Sequence, residues 1–303
     1  MENGQPSFTA LTAAAARAAH LIVDGEPVIF ADTLASALLG ERAEELLSYH
    51  TSHGTHPVLA GARVQVTCRG RYTEDALARA AGRGVTQYVV LGAGLDSFAY
   101  RSGGVAAGRR VRVFEVDHPA TQDWKRRALA HARVTVPDGV TFVPADLAAD
   151  TPADLAADTL PSLLTAAGFD SSAPALVGWL GVTMYLTRDA IAATVAALGR
   201  LAPGSEVIAD YMLPAELRDD AGAVYGSLVA QASAERGEPW LSCLAPEEMA
   251  DLARAAGFAA VRNVPQRDAI PAALWQRSDA LCPADLAMLL HGTIPPADEG
   301  ICG

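Results

Sequence analysis

The chain has 303 residues, half of them apolar, which describes a globular protein able to form one large domain or a domain with a cap. No apolar run reaches the roughly 18–20 residues of a membrane span, no signal peptide is recognisable, and Cys68, Cys243, Cys282 and Cys302 are too scattered for a disulfide framework or a metal site. The net charge is −12, with the acidic excess lying beyond residue 139, so nucleic acid and anionic membrane are poor partners and a small molecule in a reducing cytoplasm is expected.

Residues 8–47 are alanine-rich and helical in period, with "LTAAAARAAHLI" and "ADTLASALLGERAEELL" as two helix candidates. Gly25 and Pro27 break them apart. "SYHTSHGTHPVLAG", residues 48–61, reads as a polar, histidine-rich loop, and residues 62–83 as a further helix. A strand and helix alternation follows. Strands are expected at 87–91, 111–116, 140–143, 174–180, 206–212 and 259–264, and helices at 119–133, 158–167, 188–200 and 246–256. Thr187 can cap the helix of residues 188–200, and Pro246 with Glu247 and Glu248 makes a good first turn for the last one.

This pattern predicts an α/β fold: a Rossmann-like, doubly wound, mostly parallel sheet. Residues 1–83 form an N-terminal helical cap and 84–303 the core. Residues 213–243, too long for an ordinary connection after the fifth strand, read as a lid.

Motifs sharpen the picture. "VVLGAGLDSFAY" carries Gly92-Ala93-Gly94 straight after a strand, with Asp96 next. A P-loop needs a Gly-Lys pair, which is absent, and a dinucleotide fingerprint needs a third glycine where Ser97 stands. "VFEVDHP" then places Glu115, Asp117 and His118 at the end of the second strand. Either acid is at the right distance from the glycines to accept ribose hydroxyls. Asp146 and Leu147 follow the third strand, where an acid can meet the adenine amino group and a leucine can cover the ring. Two glycines without the third, followed by acids in this order, suit S-adenosyl-L-methionine better than NAD.

The chain resembles the leucine carboxyl methyltransferase family, in particular its bacterial S-adenosylmethionine-dependent branch. The matching stretches are "TAAAARAAHLIVDGEPVIFADTLASALLG", "CRGRYTEDAL", "VVLGAGLDSFAYR", "FEVDHP", "ADL" and "GVTMYLTRDA", in family order over about residues 10–210. The resemblance implies that Arg69 meets the methionine carboxylate, with Arg71 as its rival. It implies that Gly92, Ala93 and Gly94 line the cofactor, that Asp117 holds ribose, and that Asp146 and Leu147 hold adenine. It also implies that Leu180, before Gly181, replaces a glutamate usual in the family.

For the acceptor side, His50, His53, His56 and Tyr185 are candidate bases or proton-orienting groups. Trp179, Tyr211, Tyr225 and Trp240 are candidate pocket walls. The expected activity is methyl transfer to a small organic acceptor in secondary metabolism, by O-methylation of a carboxylate or hydroxyl. C- or N-methylation of an aromatic metabolite and a non-catalytic adenosine-binding regulator are the alternatives. No metal is expected, and a monomer or homodimer is.

Overall fold

The computed structural model describes residues 7–147 and 159–295. Helix α1, Phe8–Val23, starts where the Ser7 hydroxyl accepts from the Ala10 N–H, and it buries Leu11, Ala14, Ala15, Ala18 and Ala19. The second predicted helix is broken: Gly40 adopts φ +56°, and the regular helix α2 spans only Ala43–His53. Helix α3, Pro57–Gly82, begins on proline with the His56 ring accepting from the Val58 N–H. The expected loop at 48–61 is therefore mostly helical, as α2 runs to His53 and α3 starts at Pro57. Ser48 and Thr51, which made the segment look loop-like, return their hydroxyls to the carbonyls three residues back.

Seven strands make one sheet: β1 (Gln87–Leu91), β2 (Arg112–Asp117), β3 (Val140–Pro144), β4 (Leu176–Trp179), β5 (Glu206–Met212), β6 (Ala260–Pro265) and β7 (Ala287–Thr293). Their order is β3-β2-β1-β4-β5-β7-β6. All neighbouring pairs are parallel except those of β7, which runs antiparallel between β5 and β6. Strand β7 and a small hairpin at 105–110 were not foreseen. Among the described residues, a short helical turn at Phe98–Arg101 follows β1, and longer helices alternate with the later strands: α4 (Pro119–His131), α5 (Thr159–Ala166), α6 (Arg188–Leu198) and, after α7 (Asp220–Ala234), α8 (Pro246–Ala255). The Thr187 side chain caps α6, and Glu248 reaches back to the Ala245 N–H at the start of α8.

The sheet has a core on each face, as a doubly wound fold requires. Val89, Leu91, Phe114, Val116, Val177 and Trp179 share one core with α5, α6 and α8. Tyr88, Val90, Val113, Leu176 and Ile208 share the other with α1, α3 and α4. The N-terminal helices thus pack into the sheet's own core. Helix α7 lies on α3, where Gly61 leaves room for the Tyr225 ring: a Cβ there would meet Tyr225 Cδ2 at 2.9 Å. No helix among the described residues is long and apolar enough to cross a membrane.

Candidate active site

In an open α/β sheet the ligand crevice lies at the carboxyl ends of the strands. Here a cavity of about 1210 Å³ occupies that position, roofed by α1, α2, α3 and the α7 segment. Drug-sized ligand sites run to about 300–1,000 Å³, so there is space for more than one small molecule. Of the residues singled out in the sequence, His50, His53, His56, Arg69, Gly92, Ala93, Gly94, Asp96, Asp117, His118, Asp146, Leu147, Leu180, Gly181, Tyr185, Tyr225 and Trp240 line it.

Trp179, Tyr211, Glu115 and Arg71 do not. Trp179 and Tyr211 point into the core shared with α5, α6 and α8, because side chains alternate across a strand. On β5 it is Asp210 and Met212, the neighbours of Tyr211, that face the other way. Glu115 is fully buried two residues short of the strand end, where it receives Lys125 Nζ at 2.7 Å and the Tyr100 hydroxyl at 3.1 Å. Burial raises its pKa while the Lys125 ammonium opposes the rise. The chain's one lysine is committed to this internal pair.

At the glycine-loop end the geometry is set by backbone. Gly92 and Gly94 have φ of +66° and +46°, and a Cβ on Gly92 would fall 2.3 Å from Val182 Cγ2. Side chains are therefore excluded from this turn on both counts. The amides of Gly92 and Ala93 donate to the Val116 carbonyl, tying the loop to β2. The Gly94 amide donates to Asp117 Oδ2 at 2.5 Å and the His118 amide to Oδ1 at 2.6 Å. Two backbone donors thus fix the Asp117 carboxylate, and each oxygen keeps acceptor capacity. Burial raises the Asp117 pKa against those two hydrogen bonds.

Three residues that hold the cavity's framework, Asp210, Arg17 and Asp32, escaped sequence reasoning. Asp210 takes Arg69 Nη1 on Oδ2 at 2.7 Å and the Gly181 amide on Oδ1 at 2.6 Å. Gly181, at φ +75°, lies so close to Arg69 that a Cβ would sit 2.6 Å from Nη2. An acid inside the apolar run of β5 was the available signal. Arg17 of α1 donates to Asp32 at 2.7 Å and to the Leu95 carbonyl at 2.6 Å, and Ser97 donates to Asp32 at 2.5 Å. Arg17 and Asp32 thereby clamp the glycine loop to the cap. Arg71, the rival of Arg69, pairs with Asp75 outside the cavity.

The histidines differ in what their nitrogens are doing. Arg63, bound to Asp24 through two nitrogens, also donates to His50 Nδ1 at 3.2 Å. Burial and the Arg63 cation hold the His50 pKa down at about 4. Neutral His50 therefore carries its proton on Nε2 and acts as a donor there. His56 Nδ1 accepts from the Val58 amide, which gives its neutral ring the same tautomer. His53 is exposed at the cavity rim. Burial raises the Tyr185 pKa, so its hydroxyl stays protonated at neutral pH; Thr9 and Ser233 face it. Met184, Met212, Tyr225 and Trp240 belong to one small apolar cluster beside Tyr185. The Thr9 amide donates to Glu238 at 3.1 Å and Arg236 lies 4.4 Å over the Phe8 ring, joining α1 to the segment after α7.

The family model for leucine carboxyl methyltransferase matches residues 10–199. YktD of Bacillus subtilis, named as a candidate S-adenosyl-L-methionine-dependent methyltransferase, is 28% identical over 96% of this chain and 99% of its own length. A Mycobacterium leprae protein with the same description is 32% identical over 66% of this chain, which spans 62% of that relative's length. The crystal structure of a candidate methyltransferase from Thermobifida fusca superposes with a TM-score of 0.59 at 20% identity, covering 97% of each chain, and shares the fold.

Proposed function

The chain belongs to the leucine carboxyl methyltransferase family, and from that premise we propose that it transfers a methyl group from S-adenosyl-L-methionine to an oxygen of a small organic acceptor in secondary metabolism. The observation that carries this reading is the Asp117 carboxylate, held by the Gly94 and His118 amides beside the two glycines and opening onto the cavity.

The residues present fit this cofactor. Among the described residues, carboxylates outnumber guanidiniums along the cavity wall, which suits a ligand bearing a sulfonium, an ammonium and a carboxylate. Asp117 would accept from the ribose hydroxyls, Asp146 and Leu147 would meet adenine, and Arg69 would face the carboxylate. Asp210 takes the place of the missing glutamate near Leu180 as the acid that positions this end, through Arg69 and the Gly181 amide. When bound, the cofactor supplies an activated methyl group that an acceptor oxygen displaces in line.

The protein's own part is to align and to exclude water. The cap and the α7 segment, read as a lid, close over the cavity. The Tyr185 hydroxyl and His50 Nε2–H donate to and orient the acceptor oxygen, and His53 at the rim is the histidine left to take a proton.

Calorimetry with S-adenosylhomocysteine and with NAD tests the reading. Binding of the first is expected. Tight NAD binding with no response to the homocysteine compound overturns it.

A further inference from the structure

A set of ion pairs stands behind the glycine loop, and methyl transfer itself makes no use of it. Arg101 ends the helical turn that follows the loop. Its Nε donates to the Ser97 hydroxyl at 2.8 Å and lies 3.4 Å from Asp32 Oδ1. Its Nη2 meets Glu74 Oε1 of α3, and its guanidinium sits 5.0 Å over the Phe30 ring. Ser97 in turn donates to Asp32 at 2.5 Å, and Asp32 also holds Arg17, which binds the Leu95 carbonyl. Arg101, Asp32 and Arg17 line the cavity, whereas Glu74 lies outside it.

Three carboxylates share the two guanidiniums, since Asp96 of the loop also faces this cluster. Against its burial, Arg17, Ser97 and Arg101 hold the Asp32 pKa below the ordinary carboxylate value. Glu74 carries the surplus: burial, with Asp96 and Asp32 nearby, raises its pKa to about 7 in spite of Arg101. Tyr88 of β1, which also feels Glu74, stays protonated, and on α3 itself Asp75 is paired with Arg71. A charge-assisted hydrogen bond is about twice as strong as a neutral one. A proton on Glu74 therefore loosens Arg101, and with it Ser97, which directly follows Leu95 and Asp96 in the loop.

We propose that Glu74 and Arg101 are positioning residues for the cofactor: the ionised carboxylate, acting through Arg101 and Ser97, holds the glycine loop in its binding shape, so cofactor affinity falls when Glu74 takes a proton. This rests on the methyltransferase reading and adds a proton-linked control to its cofactor end.

The test is calorimetry of S-adenosylhomocysteine on the whole protein between about pH 5.5 and 8.5. No binding at any pH counts against the methyltransferase reading itself. Given binding, wild-type affinity should fall by about tenfold from the alkaline to the acid end. Glu74→Gln keeps the shape and a neutral acceptor. It should bind about tenfold more weakly than wild type at the alkaline end and meet the wild-type curve at the acid end. The histidines of the wall are common to both proteins, so the difference between the curves belongs to Glu74. Asp75→Asn removes a charge next door and should follow wild type. Arg101→Lys keeps the cation but cannot reach Ser97 and Glu74 together, so it should lose the pH response too, and it serves if Glu74→Gln does not fold. A merely structural Glu74 would lower stability and leave the two pH curves parallel. Parallel curves, an Asp75→Asn curve displaced as far as that of Glu74→Gln, or a wild-type response kept in Arg101→Lys overturns the inference and leaves the cofactor result standing.

Discussion

The two ends of the cavity are built by different means. At the glycine-loop end the decisive contacts are main-chain amides meeting acids at strand ends, as where Gly94 and His118 hold Asp117. Sheet register fixes such contacts. At the other end the wall is made of side chains from α2, α3, the α7 segment and the turn after β4, and their places depend on how helices pack. The first kind of site tolerates little change in its backbone. The second can be reshaped by single side chains while the first stays intact.

The sharpest way to break this contrast is Arg69→Met, because Arg69 joins the two ends. The change strands the buried Asp210 carboxylate, and removing one partner of a buried pair costs about 3 kcal/mol or more. Chemical denaturation should show that loss, and adding Asp210→Asn should recover part of it. A loss under about 1 kcal/mol would mean that solvent already relieves Asp210.

Asp117→Ala tests the backbone-built end. It removes the acceptor for two main-chain amides and for the proposed ribose hydroxyls. S-Adenosylhomocysteine affinity should fall by about ten- to a hundredfold. Wild-type affinity in a folded variant would move the ribose contact elsewhere.

His50 tests the helix-built end through pH. Unfolded histidine titrates near 6.5, whereas folded His50 refuses its proton until about 4. As pH falls through that window the unfolded chain binds a proton that the folded chain does not, so stability is lost. Between pH 6.5 and 5 this amounts to about 1.5 kcal/mol. His50→Gln keeps an acceptor for Arg63 and should remove that dependence. An unchanged pH slope in urea titrations would place the loss on other groups.

The smallest effect belongs to the junction between α1 and the segment after α7. Glu238→Gln weakens one charge-assisted bond and should cost less than about 1 kcal/mol, with faster hydrogen exchange at the Thr9 amide. Unaltered exchange at that amide would show the contact to be incidental.

The sequence made the backbone-built end readable because its signals are local. Gly92 and Gly94 sit directly after a buried strand, and Asp117 and Asp146 follow at strand ends. The helix-built end was harder. Residues 48–53 read as loop because serine, threonine and histidine there resemble turn chemistry, yet the helix continues through them. Tyr211 and Trp179 drew attention as aromatics. The period of two in a strand put Tyr211's neighbours on the opposite face instead, Met212 at the cavity and Asp210 against Arg69. Strand β7 was missed because "AMLLHGT" holds good helix formers and one β-branched residue, and pairing on both edges overrode that preference.

That last strand ties assembly to chain order. Until residues 287–293 dock, β5 lacks a partner along one edge and β6 has none at all, and unpaired edges invite association with other chains. Strand β5 also carries Asp210, so the anchor of Arg69 lies on a strand whose pairing is completed by the last element of the sheet. Closing this sheet therefore takes two long-range pairings, β1 with β4 and β5 with β7. Its half-formed state exposes the apolar edge of β5, where a chaperone would have most to do.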